Sequence, residues 1–61
     1  MEKIAIDFKV GEKLKSKKFR VLQTIDEIHY ESSKVTFKCI TVEGISNWAT
    51  YMNKTKIKQE L

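Results

Sequence analysis

The stretch Ile28-His29-Tyr30-Glu31-Ser32-Ser33-Lys34-Val35-Thr36-Phe37-Lys38-Cys39-Ile40-Thr41-Val42-Glu43-Gly44-Ile45-Ser46-Asn47-Trp48-Ala49-Thr50-Tyr51 reads as three short strands joined by two tight turns. If Ser32 and Ser33 form the first turn, Tyr30 faces Val35, His29 faces Thr36, Ile28 faces Phe37 and Glu27 faces Lys38. One face then carries Tyr30, Val35, Ile28 and Phe37. The other carries the opposite-charge pairs Glu31 with Lys34 and Glu27 with Lys38. A slip of one residue would destroy both sets, so packing and charge agree on this register. At the second turn, Glu43-Gly44 lies between Val42 and Ile45, and glycine supplies the positive φ that a two-residue hairpin turn needs. That reading places Cys39 opposite Trp48 and Phe37 opposite Thr50, and it assigns Trp48 to the core.

Working outward, residues 3 to 10 alternate, with Ile4, Ile6, Phe8 and Val10 on one side of a half-buried strand that Gly11 ends. Lys13-Leu14-Lys15-Ser16-Lys17-Lys18-Phe19-Arg20 has five basic residues in eight and is a poor core segment. It reads as an extended, partly irregular loop anchored by Leu14, its lysines solvated. From Phe19 to Tyr30 the apolar phase changes from odd (Phe19, Val21, Ile25) to even (Ile28, Tyr30), and a bulge or bend near Asp26 reconciles the two. After Tyr51, a short 3₁₀ turn and a brief closing strand anchored by Ile57 and Leu61 are expected. The alternative is a frayed helical turn, too short to hold without packing.

The 61 residues make one domain, 1–61, because so short a chain cannot supply two cores. A single cysteine, Cys39, allows neither an internal disulfide nor a cysteine-based zinc site, and a lone buried thiol suits the cytoplasm. The longest apolar run is Ile4-Ala5-Ile6, so no membrane span or secretory signal is expected and the chain reads as intracellular and complete. Net charge is +4, almost all from lysine, which favours acidic partners without requiring them. The fold class that follows is all-β: a five-stranded small barrel with a short 3₁₀ turn near the C-terminus.

The segment Phe8-Lys9-Val10-Gly11-Glu12-Lys13-Leu14 resembles the F-x-V-G-D-x-V opening of SH3-like barrels, and Asn47-Trp48-Ala49 resembles the G-W-V segment of bacterial SH3 modules. The chain therefore resembles the small SH3-like barrel proteins of bacteria and phages, and the resemblance spans most of its length. The related KOW pattern expects a glycine after the basic loop, and Lys17 to Gln23 contains none. The glycine-rich motifs of archaeal chromatin proteins of this fold are also missing.

Enzymatic chemistry is not expected. A nucleophilic dyad would need Cys39 beside His29, and the register sends them to opposite faces; there is no second histidine and no phosphate-binding glycine loop. No cofactor is implied. The expected function is a small non-enzymatic binding module, a protein-interaction adaptor or modulator of phage or bacterial origin with a host or partner protein as its ligand. Its binding surface would be the groove between Lys13–Arg20 and Trp48–Tyr51. The alternative is a nucleic-acid-binding barrel, with phosphates tracked by lysines and Trp48, if exposed, serving as a stacking platform. The candidate residues are Lys13, Lys15, Lys17, Lys18, Arg20, Trp48, Tyr51, Lys54 and Lys56. The plainer reading of the basic segment is a solvated loop, because lysine runs usually do no more than solvate a surface.

Overall fold

The computed structural model describes residues 1–61, and the alternation of apolar side chains appears in it as six short strands. These are β1 (Glu2–Ile4), β2 (Lys13–Lys15), β3 (Leu22–Tyr30), β4 (Lys34–Ile40), β5 (Ser46–Met52) and β6 (Lys56–Lys58). A 3₁₀ helix, Ala5–Asp7, follows β1. Strands β2-β3-β4-β5 form one antiparallel sheet in that order, and β1 pairs with β6 in a two-stranded ribbon. The larger sheet curls into a half-barrel. Its inner face meets the ribbon and the 3₁₀ helix through one core of Ala5, Phe8, Leu14, Ile25, Val35, Phe37, Cys39, Tyr51 and Ile57. No helix is long and apolar enough to cross a membrane.

The hairpin from β3 to β4 has the register its sequence dictates: Tyr30 opposite Val35, His29 opposite Thr36, Ile28 opposite Phe37 and Glu27 opposite Lys38. The ladder shifts between Ile25 and Glu27, which leaves Asp26 as the extra residue of a bulge. Without it, Gln23 and Ile25 could not share the inner face with Ile28. Lys38 reaches Glu27 at 3.5 Å and Asp26 at 4.0 Å. Glu31 and Lys34 meet through their backbones, Glu31 N–H donating to the Lys34 carbonyl at 2.9 Å. No residue but glycine has positive φ, so the Ser32-Ser33 turn uses ordinary backbone angles. Asn53 steadies it from outside: its backbone N–H donates to the Ser33 carbonyl at 3.0 Å and its side-chain amide to that of Ser32 at 3.4 Å.

The next hairpin corrects the expected pairing by one residue. Thr41 N–H donates to the Ile45 carbonyl at 2.9 Å, and Gly44 N–H donates to the Thr41 carbonyl at 2.9 Å. The loop is therefore three residues, Val42-Glu43-Gly44, with Gly44 at φ 89°. A tight turn followed by a left-handed glycine is the usual three-residue solution, and it needs one more residue than the two-residue turn read from Glu43-Gly44. Cys39 consequently pairs with Asn47, Lys38 with Trp48, Phe37 with Ala49 and Val35 with Tyr51. Because side chains alternate, this slip turns Trp48 out and Tyr51 in. Trp48 is 57% exposed and Tyr51 only 7%.

The N-terminal segment departs further. The strand expected over residues 3 to 10 ends at Ile4, where Ala5 N–H donates to the Thr55 carbonyl at 2.8 Å and Ile6 N–H to that of Asn53 at 3.0 Å. The chain then makes its 3₁₀ turn, which puts Ala5 and Phe8, three apart, on one side. Both are buried and Val10 is exposed. At the C-terminus, Thr55 N–H donates to the Met52 carbonyl at 3.0 Å, making one tight i to i+3 turn before β6. Ile57 seals the core there, and Leu61 remains exposed.

Candidate groove between the basic loop and strand β5

The basic segment is more regular than its composition implies. Lys13–Lys15 is strand, with Leu14 fully buried against the core, so Lys13 and Lys15 point outward. The tip beyond it is closed by Ser16, whose N–H donates to the Val21 carbonyl at 2.9 Å. The Ser16 hydroxyl accepts from the backbone N–H groups of Phe19 at 3.1 Å and Lys18 at 3.3 Å. Such side-chain-to-backbone bonds hold a short loop in one shape. They present Lys17 and Lys18 toward β5.

Lys17 crosses to that strand. Its ammonium donates to the Thr50 carbonyl at 3.0 Å and stands 4.9 Å from the centre of the Tyr51 ring. Between the loop and the strand runs a groove of about 340 Å³ lined by residues of Ser16–Phe19, by Gln23 and by residues of Asn47–Thr50. Trp48 forms part of its wall and is also packed at 5.4 Å, tilted by 43°, against His29. His29 in turn lies 3.2 Å from Glu27. The His29 contact and then Lys38 hold the Glu27 carboxyl below its ordinary range.

Gln23 was not singled out by its sequence context. It is 2% exposed, and its side-chain Nε2 has no hydrogen-bond partner. Its signal was available: it occupies an odd position before the bulge, in phase with Ile25, where an apolar residue would normally pack. A glutamine there is costly unless something accepts its hydrogens.

Of the nine candidate residues, the groove gathers Lys17, Lys18 and Trp48. Tyr51 lies beneath them as core, its ring 5.8 Å from that of Phe37. Burial, and secondarily Cys39, push its phenol up. Lys13 and Arg20 line a different depression with Val42 and Leu61. Lys54 sits beside Ser33 and Asn53, and Lys56 is on β6 opposite Ile4. Lys15 pairs with Leu22 on the outer side of β2. The lysines thus do not form one continuous strip.

Elsewhere, Cys39 is fully buried in the core and its thiol is pushed up by burial, whereas His29 stands exposed on the other face. No three His, Cys, Asp or Glu side chains converge as a metal-binding group. A second, apolar cleft of about 570 Å³ lies between Ile6–Val10 and the end of β3, walled by Ile28 and Tyr30. Tyr30 has the predicted facing but is 59% exposed, because the core ends before it. No known family model, curated protein or solved structure matches this chain.

Proposed function

We propose that this protein is a small non-enzymatic binding module with an SH3-like barrel, an adaptor or modulator of bacterial or phage origin acting in the cytoplasm. It docks a partner protein in the groove between Ser16–Phe19 and Asn47–Thr50. The observation that carries the reading is Trp48: a large aromatic held 57% exposed on a regular strand, beside a groove whose buried Gln23 lacks a partner. Aromatic anchors flanked by cations dominate protein interfaces, since they bury much area for little lost side-chain freedom. The SH3-like resemblance of Phe8–Leu14 and Asn47–Ala49 and the separation of Cys39 from His29 favour binding over catalysis.

Nucleic-acid binding is the second reading, favoured by Lys17 and Lys18 standing beside an exposed aromatic ring. Against it, Lys13, Lys15 and Lys56 lie on other strands, so only two cations border the groove. Affinity capture from cell lysate with the wild-type chain, Trp48→Ala and Lys56→Ala separates these readings. The expected result is a protein retained by wild type and Lys56→Ala and lost with Trp48→Ala. Absence of any Trp48-dependent protein, together with DNA or RNA binding that weakens steeply between low and moderate salt, would replace the adaptor reading with the second.

A further inference from the structure

Strand β5 is an edge whose own residues carry none of the usual protections, and the Lys17 side chain of the neighbouring loop caps one of its carbonyls. Gly44 to Asn53 is the longest stretch of the chain without a charged residue, in a sequence with 12 basic and 8 acidic side chains. All seven β5 residues pair with β4 without a register shift, so no bulge twists the edge away. Natural edges are normally blunted by charge, proline or bulges. The opposite edge, β2, follows that rule: it carries Lys13 and Lys15 and lies beside β6.

The direction of the free backbone groups follows from the hydrogen bonds. The Ile45 carbonyl accepts from Thr41 and the Asn53 N–H donates to Ser33, so odd-numbered residues of this strand turn their polar groups toward β4. Even-numbered residues turn theirs to the open side. Lys17 donating to the Thr50 carbonyl confirms that parity. Trp48 and Thr50 therefore offer a donor and acceptor each to the groove, Ser46 continues the open edge beyond it, and Lys17 occupies one acceptor.

We infer that an extended, acidic peptide segment of the partner adds to β5 as a further strand, exchanging main-chain hydrogen bonds with Trp48 and Thr50 and setting a carboxylate between Lys17 and Lys18. The inference rests on the groove reading and specifies what enters it. An incoming N–H takes the Thr50 carbonyl and releases the Lys17 ammonium, which then needs an anion. Lys18 has no ionic partner of its own. The strand also passes over Gln23, whose Nε2 lacks an acceptor. A second copy of this chain fits less well, because pairing β5 with β5 across a two-fold brings two Lys17-Lys18 pairs and two net charges of +4 together.

The test uses a fluorescein-labelled peptide of alternating Glu and Val, the same peptide N-methylated at alternate residues, and a Lys/Val counterpart. Fluorescence anisotropy should show saturable binding of the first, with the other two weaker by about tenfold or more, since each lost hydrogen bond or ion contact removes a large part of a decade in affinity. Amide hydrogen exchange at Trp48 and Thr50 should slow on saturation. Thr50→Pro removes an outward N–H, which an edge position tolerates, and should weaken binding; Lys17→Glu, at an exposed site, should reverse the preference between the Glu/Val and Lys/Val peptides. Equal binding of the N-methylated peptide, no peptide binding, or unchanged exchange at Trp48 and Thr50 would overturn strand addition. So would protection of those amides in a peptide-free dimer. Trp48-dependent capture of a protein that persists in Thr50→Pro would leave the groove reading intact while removing strand addition.

Discussion

The two hairpins that share β4 differ in one respect that decides the surface of the molecule. In the first, Ser32-Ser33 closes with ordinary backbone angles, and apolar and charged cross-strand pairs agree on one register. In the second, Gly44 marks the turn but not its length, and the neighbouring side chains tolerate either register. With a two-residue loop Trp48 would pack inward; with the three-residue loop Tyr51 and Ala49 do so instead. A turn residue announces a reversal, whereas the number of residues spent on it selects the buried face.

The sharpest way to break this comparison is to truncate the aromatic that won the core. Tyr51→Ala should cost about 3–5 kcal/mol, comparable with the entire stability expected of so small a domain, and leave the chain largely unfolded by circular dichroism. Tyr51→Phe should be neutral or slightly stabilising in a urea titration, because the Tyr51 hydroxyl is buried without a partner. A Tyr51→Phe variant that unfolds would contradict that assignment.

The turns themselves should respond unequally. Gly44→Ala forces a side chain into the left-handed region at φ 89°, with open space around the new Cβ, and should cost about 1–2 kcal/mol from backbone strain alone. Asn53→Ala should cost about 1 kcal/mol through the first turn, which depends on Asn53 rather than on a glycine. Urea midpoints for the pair give the order, and equal insensitivity at both sites would mean that neither turn sets its register.

Acid and alkali test the ends of the core. Glu12 is held below the ordinary carboxylate range by Lys3 at 2.5 Å and by the Lys9 N–H at 2.8 Å. The unfolded chain therefore takes up the proton first, and stability falls as pH drops through the carboxylate range toward the folded value. Cys39 and Tyr51 are raised by burial, so the unfolded chain loses those protons first and stability falls as pH rises through the thiol and phenol ranges. Stability should thus fall through these groups on both sides, in acid as the carboxylates protonate and in alkali as the thiol and phenol ionise, with Glu12→Gln shrinking the acid limb to which Glu27 also contributes. Melting temperatures across pH check both limbs.

The smallest effect should come from the residue whose sequence context pointed to the core. Trp48→Ala should change stability by about 0.5 kcal/mol or less, as surface substitutions do, while the intact Trp48 emits at long wavelength and is readily quenched by acrylamide. A blue-shifted, protected emission would restore the two-residue loop.

Much of the scaffold was legible where two independent signals coincided. Val35, Phe37 and Cys39 alternate on β4, apolar and charge pairing together set Tyr30 opposite Val35 and Ile28 opposite Phe37, and the change of phase around Asp26 located the bulge. Residues 3 to 10 also alternate, yet Ala5 and Phe8 are the buried pair, because the N–H groups of Ala5 and Ile6 donate to carbonyls of the Asn53–Thr55 turn where the chain bends into a 3₁₀ helix. The groove was legible as a neighbourhood, through Lys17, Lys18 and Trp48. Its floor was legible only in part: the phase shared with Ile25 marks Gln23 as inward-facing, whereas the groove above it is made by segments distant in sequence.

The sequence by itself determined an all-β chain, the first hairpin's register and a core running along β4, because side-chain period and cross-strand pairing are local properties. Only the tertiary structure decided which aromatic of β5 is buried, where the first strand ends and which of the lysines meet a groove. Those outcomes hang on the length of one loop, the capture of residues 5 and 6 by a turn nearly fifty positions away in sequence, and the reach of Lys17 to Thr50. Each is a contact between segments that local periodicity cannot register.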